Sequence, residues 1–351
     1  MNFPFNFNNN DMPFGISNAK KAELDQVQQD ILDIINNIDT DLEGSNFLLV
    51  KGSGTAIENA IELQEVYDTA KTMNPNAANR ITIIVAPGYY NFGSNIFEVN
   101  TQYIDIVSLD GNKSILFNAT PNINLVLGSV NVSANNVFIN GINTFTKSFN
   151  ISVNNATDLT IKNCQGGNMS FGTTQTITGT FINCIGGNNS FVTSGGANGN
   201  FIDCTAGNNS FAFDGDANGK FIRCIGGDNT FGGNCNGTFI DCEAESFSFG
   251  NGGTSNGMFK RCKGGYRSFG RSGIMAGTLI ECEGGGQAFC SVGTLSGTVI
   301  NCISGSDSFG ASGTLSGKLL YCILTSGTFP TVSSGGRTYY CVDGNGDVNN
   351  Q

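Results

Sequence analysis

The chain has 351 residues, with 49 glycines, 27 phenylalanines, 12 cysteines, no tryptophan, no histidine and only 13% charged residues. A formal net charge of −11 disfavours nucleic acid and anionic membranes as partners, and the missing histidine removes Ser-His-Asp triads, Cys-His dyads and histidine metal ligands. High glycine with only 6 prolines is neither collagen-like nor typical of a disordered tail, and it suits a regular structure with many tight turns.

Residues 1–46 read as an attachment segment. The opening MNFPFNFNNN lacks the basic and apolar regions of a Sec signal peptide, and no apolar run in the chain reaches the 18 or so residues that span a bilayer. Phe3, Phe5, Phe7 and Phe14 are candidate anchors onto a partner. A helix is expected from Ser17 to about Asp41, where Leu24, Val27, Ile31, Ile34 and Ile38 step by 3, 4, 3 and 4. Isoleucine at both a and d of such a heptad favours trimers; the same stripe also suits one amphipathic helix packed on its own chain.

Residues 47–80 hold a second expected helix, TAIENAIELQEVYDTAKT (55–72), with Thr55 and Glu58 as a capping box. Ile57, Ala60, Ile61, Val66, Tyr67 and Ala70 form its apolar side. Placed before the first strong strand, it would cover the open end of a stack of strands.

Residues 81–329 read as stacked short strands. The early ones are ITIIVA (81–86), YIDIVSL (103–109), NLVLG (124–128), NVFING (136–141) and LTIKNC (159–164). A repeat then takes over. Cys164, Cys184, Cys204, Cys224, Cys242, Cys262, Cys282, Cys302 and Cys322 are 20 residues apart except for one step of 18. Seven residues after each stands Phe171, Phe191, Phe211, Phe231, Phe249, Phe269, Phe289, Phe309 or Phe329. Glycine-rich runs exclude paired helices. Short strands stacked at about 4.8 Å per coil would instead place like residues in columns. The expected fold is all-β, a single-stranded right-handed parallel β-helix of about 20 residues per coil with N-terminal helices. Strand parity puts Ile182, Ile202, Ile222, Ile240, Ile280 and Ile300, two before the cysteine, on the cysteine's inner face. Strict parity would put Phe181, Phe201, Phe221, Phe239 and Phe259 outside; the expectation is that they turn inward at a corner, the alternative being an external apolar stripe. Residues 330–351 break the repeat and suggest a cap with a loose polar tail.

The run AIENAIELQEVYDTA (56–70), a strand and then APGYYNF (Ala86 to Phe92) resembles the opening of the pectate-lyase-like β-helix superfamily, which bacteriophage tailspikes and fibres share. The likeness covers roughly 50–163 by motif and the rest by repeat architecture. APGYY stands where that family commonly has two prolines, and no pectinase catalytic motif is found. The resemblance implies a virion appendage, made in a host cytoplasm. It would join other virion proteins through residues 1–46, form a homotrimer and present a rigid rod to a host-surface polysaccharide. No cofactor, nucleic acid or membrane insertion is expected. A polysaccharide lyase or glycosidase of this fold is the alternative; a bacterial surface adhesin or an ice-binding protein is a third reading.

Individual residues carry further expectations. The column cysteines have no C-x-x-C pairing and read as buried core thiols; Cys235, Cys290 and Cys341 stand off the column as the more reactive ones. Asp203, Arg223, Asp241, Arg261 and Glu281 alternate in sign one before the cysteine, as do Glu243, Lys263 and Glu283 one after it, making ladders of paired charge. Asp214, Asp216 and Asp228 are weak metal candidates, as is the DGNGD run from Asp343 to Asp347. Tyr266, Tyr339 and Tyr340 are candidate sugar platforms, and the GGNNS-type turns suit asparagine's tolerance of left-handed backbone.

Overall fold

The computed structural model describes residues 46–109, 115–117, 130–144, 149–152, 158–172, 174–250, 252–310, 312–333 and 335–351. Phe3, Phe5, Phe7, Phe14, the stripe from Leu24 to Ile38 and the strand expected at 124–128 lie outside these residues. β1 (Phe47–Val50), α1 (Ala56–Thr72) and β2 (Ile81–Val85) open the described chain, followed by β3 (Gly88–Tyr90), β4 (Phe97–Val99) and β5 (Ile104–Ser108). β1, β2 and β5 begin a 14-stranded sheet that runs to Arg337–Tyr339, its neighbours parallel throughout. β3 and β4 each begin another sheet. The result is an all-β parallel solenoid that advances about 20 residues per turn.

α1 has both halves of its capping box: Glu58 N donates to Thr55 Oγ1 at 3.3 Å, and Thr55 N donates to the Glu58 carboxylate at 2.7 Å. Asn59, Ala60, Leu63, Tyr67 and Ala70 are buried against the first coils. The Tyr67 hydroxyl accepts from the amides of Asn100 and Thr101, and its ring meets Phe97 edge-on at 5.3 Å. The expected apolar side needs correcting, because Ile57 and Ile61 face outward. The core contact follows positions 60, 63, 67 and 70, and 57 and 61 lie on the adjacent face of the helix.

The interior is built of columns. Phe171 to Phe309 stack with ring centroids 4.7–5.1 Å apart and planes within 16°, and Phe329 closes the column at a tilt of 31°. Phe181, Phe201, Phe221, Phe239 and Phe259 are wholly buried and stack at 4.8–5.1 Å. The two columns meet edge-to-face at 5.2–6.2 Å, the geometry that ring quadrupoles favour. Burying each ring is worth about 2–3 kcal/mol.

Parity fails at one position, with a backbone cause. The residue before each column cysteine has positive φ, from Asn163 (51°) and Asp203 (54°) through Arg223 (51°) and Glu281 (56°) to Tyr321 (55°). That left-handed residue turns a corner, so the phenylalanine and the cysteine both point inward and the isoleucine between them points out. Ile182, Ile202, Ile222, Ile240, Ile280 and Ile300 are therefore half-buried on the outer surface. Left-handed backbone costs about 1 kcal/mol or more in a residue other than glycine. Each corner amide is fixed by the next coil, as in Asn183 N to Ile202 O and Arg223 N to Ile240 O, both 2.9 Å. The corner column holds no β-branched residue, the type that tolerates positive φ least.

The one 18-residue step leaves the sheet register intact, with Phe221 opposite Phe239 and Ala217 opposite Cys235. The two missing residues come out of the turn after Phe231. Glycine five before the cysteine is required by close stacking: a Cβ on Gly219 or Gly277 would run into the carbonyl oxygen of the glycine one coil earlier.

The C-terminal tail is not loose, which corrects the expectation. Cys341–Val342 pairs antiparallel with Val348–Asn349, and Gln351 exchanges both backbone hydrogen bonds with Thr338. Between them Asp343 Oδ1 accepts from the amides of Asn345 and Asp347, so DGNGD is a side-chain-capped turn.

Candidate functional site

Several columns of polar residues on the described coils form ladders in which one coil bonds the next. In one turn column, Asn188 N donates to Asn168 Oδ1, Asn208 N to Asn188 Oδ1, Asp228 N to Asn208 Oδ1 and Ser246 N to Asp228 Oδ1, at 2.8–3.0 Å. At the corner, Asn183 donates to Asn163 and Asn163 to Asn140. Arg223 clamps Asp203, and Arg261 clamps Asp241, each through two hydrogen bonds of 2.6 and 2.8 Å. These guanidinium bonds hold both carboxyls below the usual carboxylate range, which suits them poorly to act as general acids. Lys263 Nζ lies 4.0 Å from Glu283.

Asp214, Asp216 and Asp228 do not converge on one point as a ligand set would. Asp214 is exposed, Asp216 accepts from Asn234 at 2.7 Å, and Asp228 belongs to the turn ladder. Among the described residues no group of three acidic or thiol side chains is placed to hold a metal ion.

All twelve cysteines are free and buried. Column thiols donate to carbonyls of the coil before, as Cys184 does to Ile161 O at 3.4 Å and Cys224 to Phe201 O at 3.2 Å. Burial pushes the thiols of Cys204, Cys224 and Cys262 up. The three set apart by sequence are no more accessible. Cys235 is packed on a third inner face and raised by burial, and Cys290 is pushed up to about 12 for the same reason. Cys341 is the next rung of the cysteine column itself, one 19-residue step after Cys322, whose carbonyl accepts from Val342 N.

Two places depart from the ladders. Beyond Ser246 the asparagine turn column gives out, and the coils read AESFS, GGYRS and GGGQA. A shallow groove of about 460 Å³ opens there, floored by Gly264, Gly265 and Gly284 and flanked by Glu243, Glu245 and Glu283. Beside it Tyr266 is exposed, donates to Gln287 Oε1 at 2.7 Å and carries the Arg267 guanidinium over its ring.

The second departure is at the C-terminal end of the rod. Tyr321, Tyr339 and Tyr340 are 56%, 43% and 60% exposed. Tyr321 and Tyr340 occupy successive corners with positive φ and lie parallel within 5°, 5.6 Å between centroids. Sequence reasoning listed Tyr339 and Tyr340 but passed over Tyr321, which stands in the otherwise polar corner column. The 19-residue step to Tyr340 was the available signal. Comparison with protein-family models, with curated proteins and with solved structures gave no significant match.

Proposed function

We propose that this protein is a structural and adhesive virion component, a tail fibre, tailspike or similar appendage, whose rigid solenoid presents a glycan-binding surface at its C-terminal end. The observation that carries the reading is the stacked, exposed pair of Tyr321 and Tyr340 near the C-terminal end of the rod, with exposed Tyr339 next to Tyr340 in sequence. Exposed aromatic faces with a hydroxyl rim suit a sugar ring, which has both an apolar face and hydroxyls. A solenoid held by stacked rings and coil-to-coil hydrogen bonds keeps such a surface fixed, so little ordering cost is left for binding. Residues 1–46 would then supply the particle end, in keeping with the resemblance to phage appendages.

The glycosidase or lyase reading has one feature in its favour, the groove between Glu243 and Glu283. Those carboxylates stand two coils apart, about 9.6 Å of rise, near the separation of an inverting pair. Lys263 stands between them, 4.0 Å from Glu283, and competes with a water-activating role. A bacterial glycan array decides between these readings. Adhesion predicts retention of an oligosaccharide that Tyr321→Ala and Tyr340→Ala each abolish, with no reducing ends released over hours. Turnover that Glu283→Gln removes and Tyr340→Ala spares would replace adhesion with catalysis. Antibody detection of the chain on purified particles tests the virion assignment separately.

A further inference from the structure

Beside the face by which α1 packs on the solenoid lies an apolar groove of about 640 Å³. Ile57 and Ile61, one helical turn apart, form one wall, and Phe92 and Ile96 form the other. Ile57, Ile61 and Ile96 are 58%, 52% and 37% exposed. Three large aliphatic side chains left together in water form a patch of the kind that marks an interaction site. We infer that this groove seats the helix expected at 17–41 of the same chain, through the stripe Leu24, Val27, Ile31, Ile34 and Ile38.

Three observations select that occupant. The stripe runs along one side of the expected helix and spans 15 residues, about 22 Å. α1 is 17 residues long, about 25 Å, so the two helices match in length and suit side-by-side packing at about 8–10 Å. The chain enters the solenoid at the coil that α1 covers. Asn46 bonds Thr82 at the edge of β2, and α1 packs on β1 and β2. The eight residues from Ile38 to Asn46 reach about 26 Å when extended, enough to place the stripe anywhere along α1.

A free-standing trimer of the same stripe is the competing arrangement. Two heptads are short for an isolated coil. A tethered segment faces the groove at an effective concentration in the millimolar range. Docking in cis would leave residues 1–15, with Phe3, Phe5, Phe7 and Phe14, as the part free to engage a partner. The inference does not depend on glycan binding.

Disulfide trapping in the full chain tests it. Ile61→Cys is combined in turn with Val27→Cys, Ile31→Cys or Ile34→Cys, oxidised at low micromolar concentration and mapped by mass spectrometry; the native thiols are buried and stay reduced. The expected result is an intrachain link in at least one pair, with a yield that does not change over a tenfold dilution. Ile57→Asp with Ile61→Asp, both at exposed positions, should speed amide exchange across 24–38 at least tenfold while leaving 160–329 unchanged. Links that form between chains and fade on dilution, or no link in any of the three pairs, overturn the inference. So does exchange at 24–38 that ignores the double aspartate.

Discussion

From Phe201 to Phe259 each coil puts a phenylalanine three before its cysteine, and from Leu279 to Leu319 it puts leucine or valine there, yet both stretches are wholly buried and in register. The compensation lies four residues earlier, on the third inner face. Beside the phenylalanines stand Ala197, Ala217, Cys235 and Ser255; beside Leu279, Val299 and Leu319 stand Met275, Leu295 and Leu315. A ring beside a small residue gives way to two mid-sized aliphatic residues, so the filled volume is roughly kept while the chemistry changes from aromatic to aliphatic. Ile177 beside Phe181 is the exception, and there the residue after Phe171 is Gly172, whose Cβ would strike the Ile177 side chain. The unit of selection in this interior is therefore the filled coil rather than the single column.

The aromatic stretch offers the largest effect. Phe221 stacks on Phe201 and Phe239 and meets Phe211 and Phe231 edge-on. Phe221→Ala should cost about 3–5 kcal/mol, more than Leu319→Ala in the aliphatic stretch, because the ring's stacking partners are lost along with its buried area. Stacked repeats unfold by neighbouring units rather than all at once, so native-state amide exchange over 201–239 is the appropriate measurement. Equal costs at the two positions would mean that ring stacking adds nothing beyond volume.

The exchange of large and small residues can be tested directly. Leu279→Phe alone overfills a coil that already holds Met275 and should cost about 1–3 kcal/mol. Adding Met275→Ala should return most of that loss, giving a coupling of about 1 kcal/mol or more in a double-mutant cycle. Additive costs would show that the pairing of sizes is incidental.

The columns were legible because a 20-residue step can be counted, and cysteine and phenylalanine keep it over nine coils. The corner was legible only in part, because strand parity assumes extended backbone at every residue. A single left-handed residue before each cysteine exchanges inside and outside, so parity misplaces Ile202 on the inner face, whereas the inward turn at a corner expected of Phe201 is what the structure has. The polar, unbranched character of that column was the visible trace, and it was read only as solvent exposure. For the tyrosine cluster, Cys341 and Tyr340 follow a 19-residue step that a strict count of 20 passes over. Ile57 and Ile61 fit a helical apolar face in sequence, and only the direction from which the first coils approach α1 shows that they are left outside.

The corner column separates the same coils more weakly, through charge. Its early members, Asn140, Asn163 and Asn183, bond one another as neutral amides, whereas Arg223 holds Asp203 and Arg261 holds Asp241. Hydrogen bonds from the guanidinium groups lower both carboxyl pKa values in the folded chain. A depressed folded value means that the stabilisation is present above the unfolded value, about 3.9, and is lost as pH falls through the folded one. Both pairs are open to solvent, so screening keeps the contribution small. Acidification should therefore lower amide protection factors, corrected for the intrinsic exchange rate, around 203–223 and 241–261 and leave those of 163–183 unchanged, and molar salt at neutral pH should move them in the same direction. Asp203→Asn should remove the pH response at 203–223 alone. If that response persisted in the variant, the pH dependence would have to come from elsewhere in the coil, and the corner charges would serve geometry rather than stability.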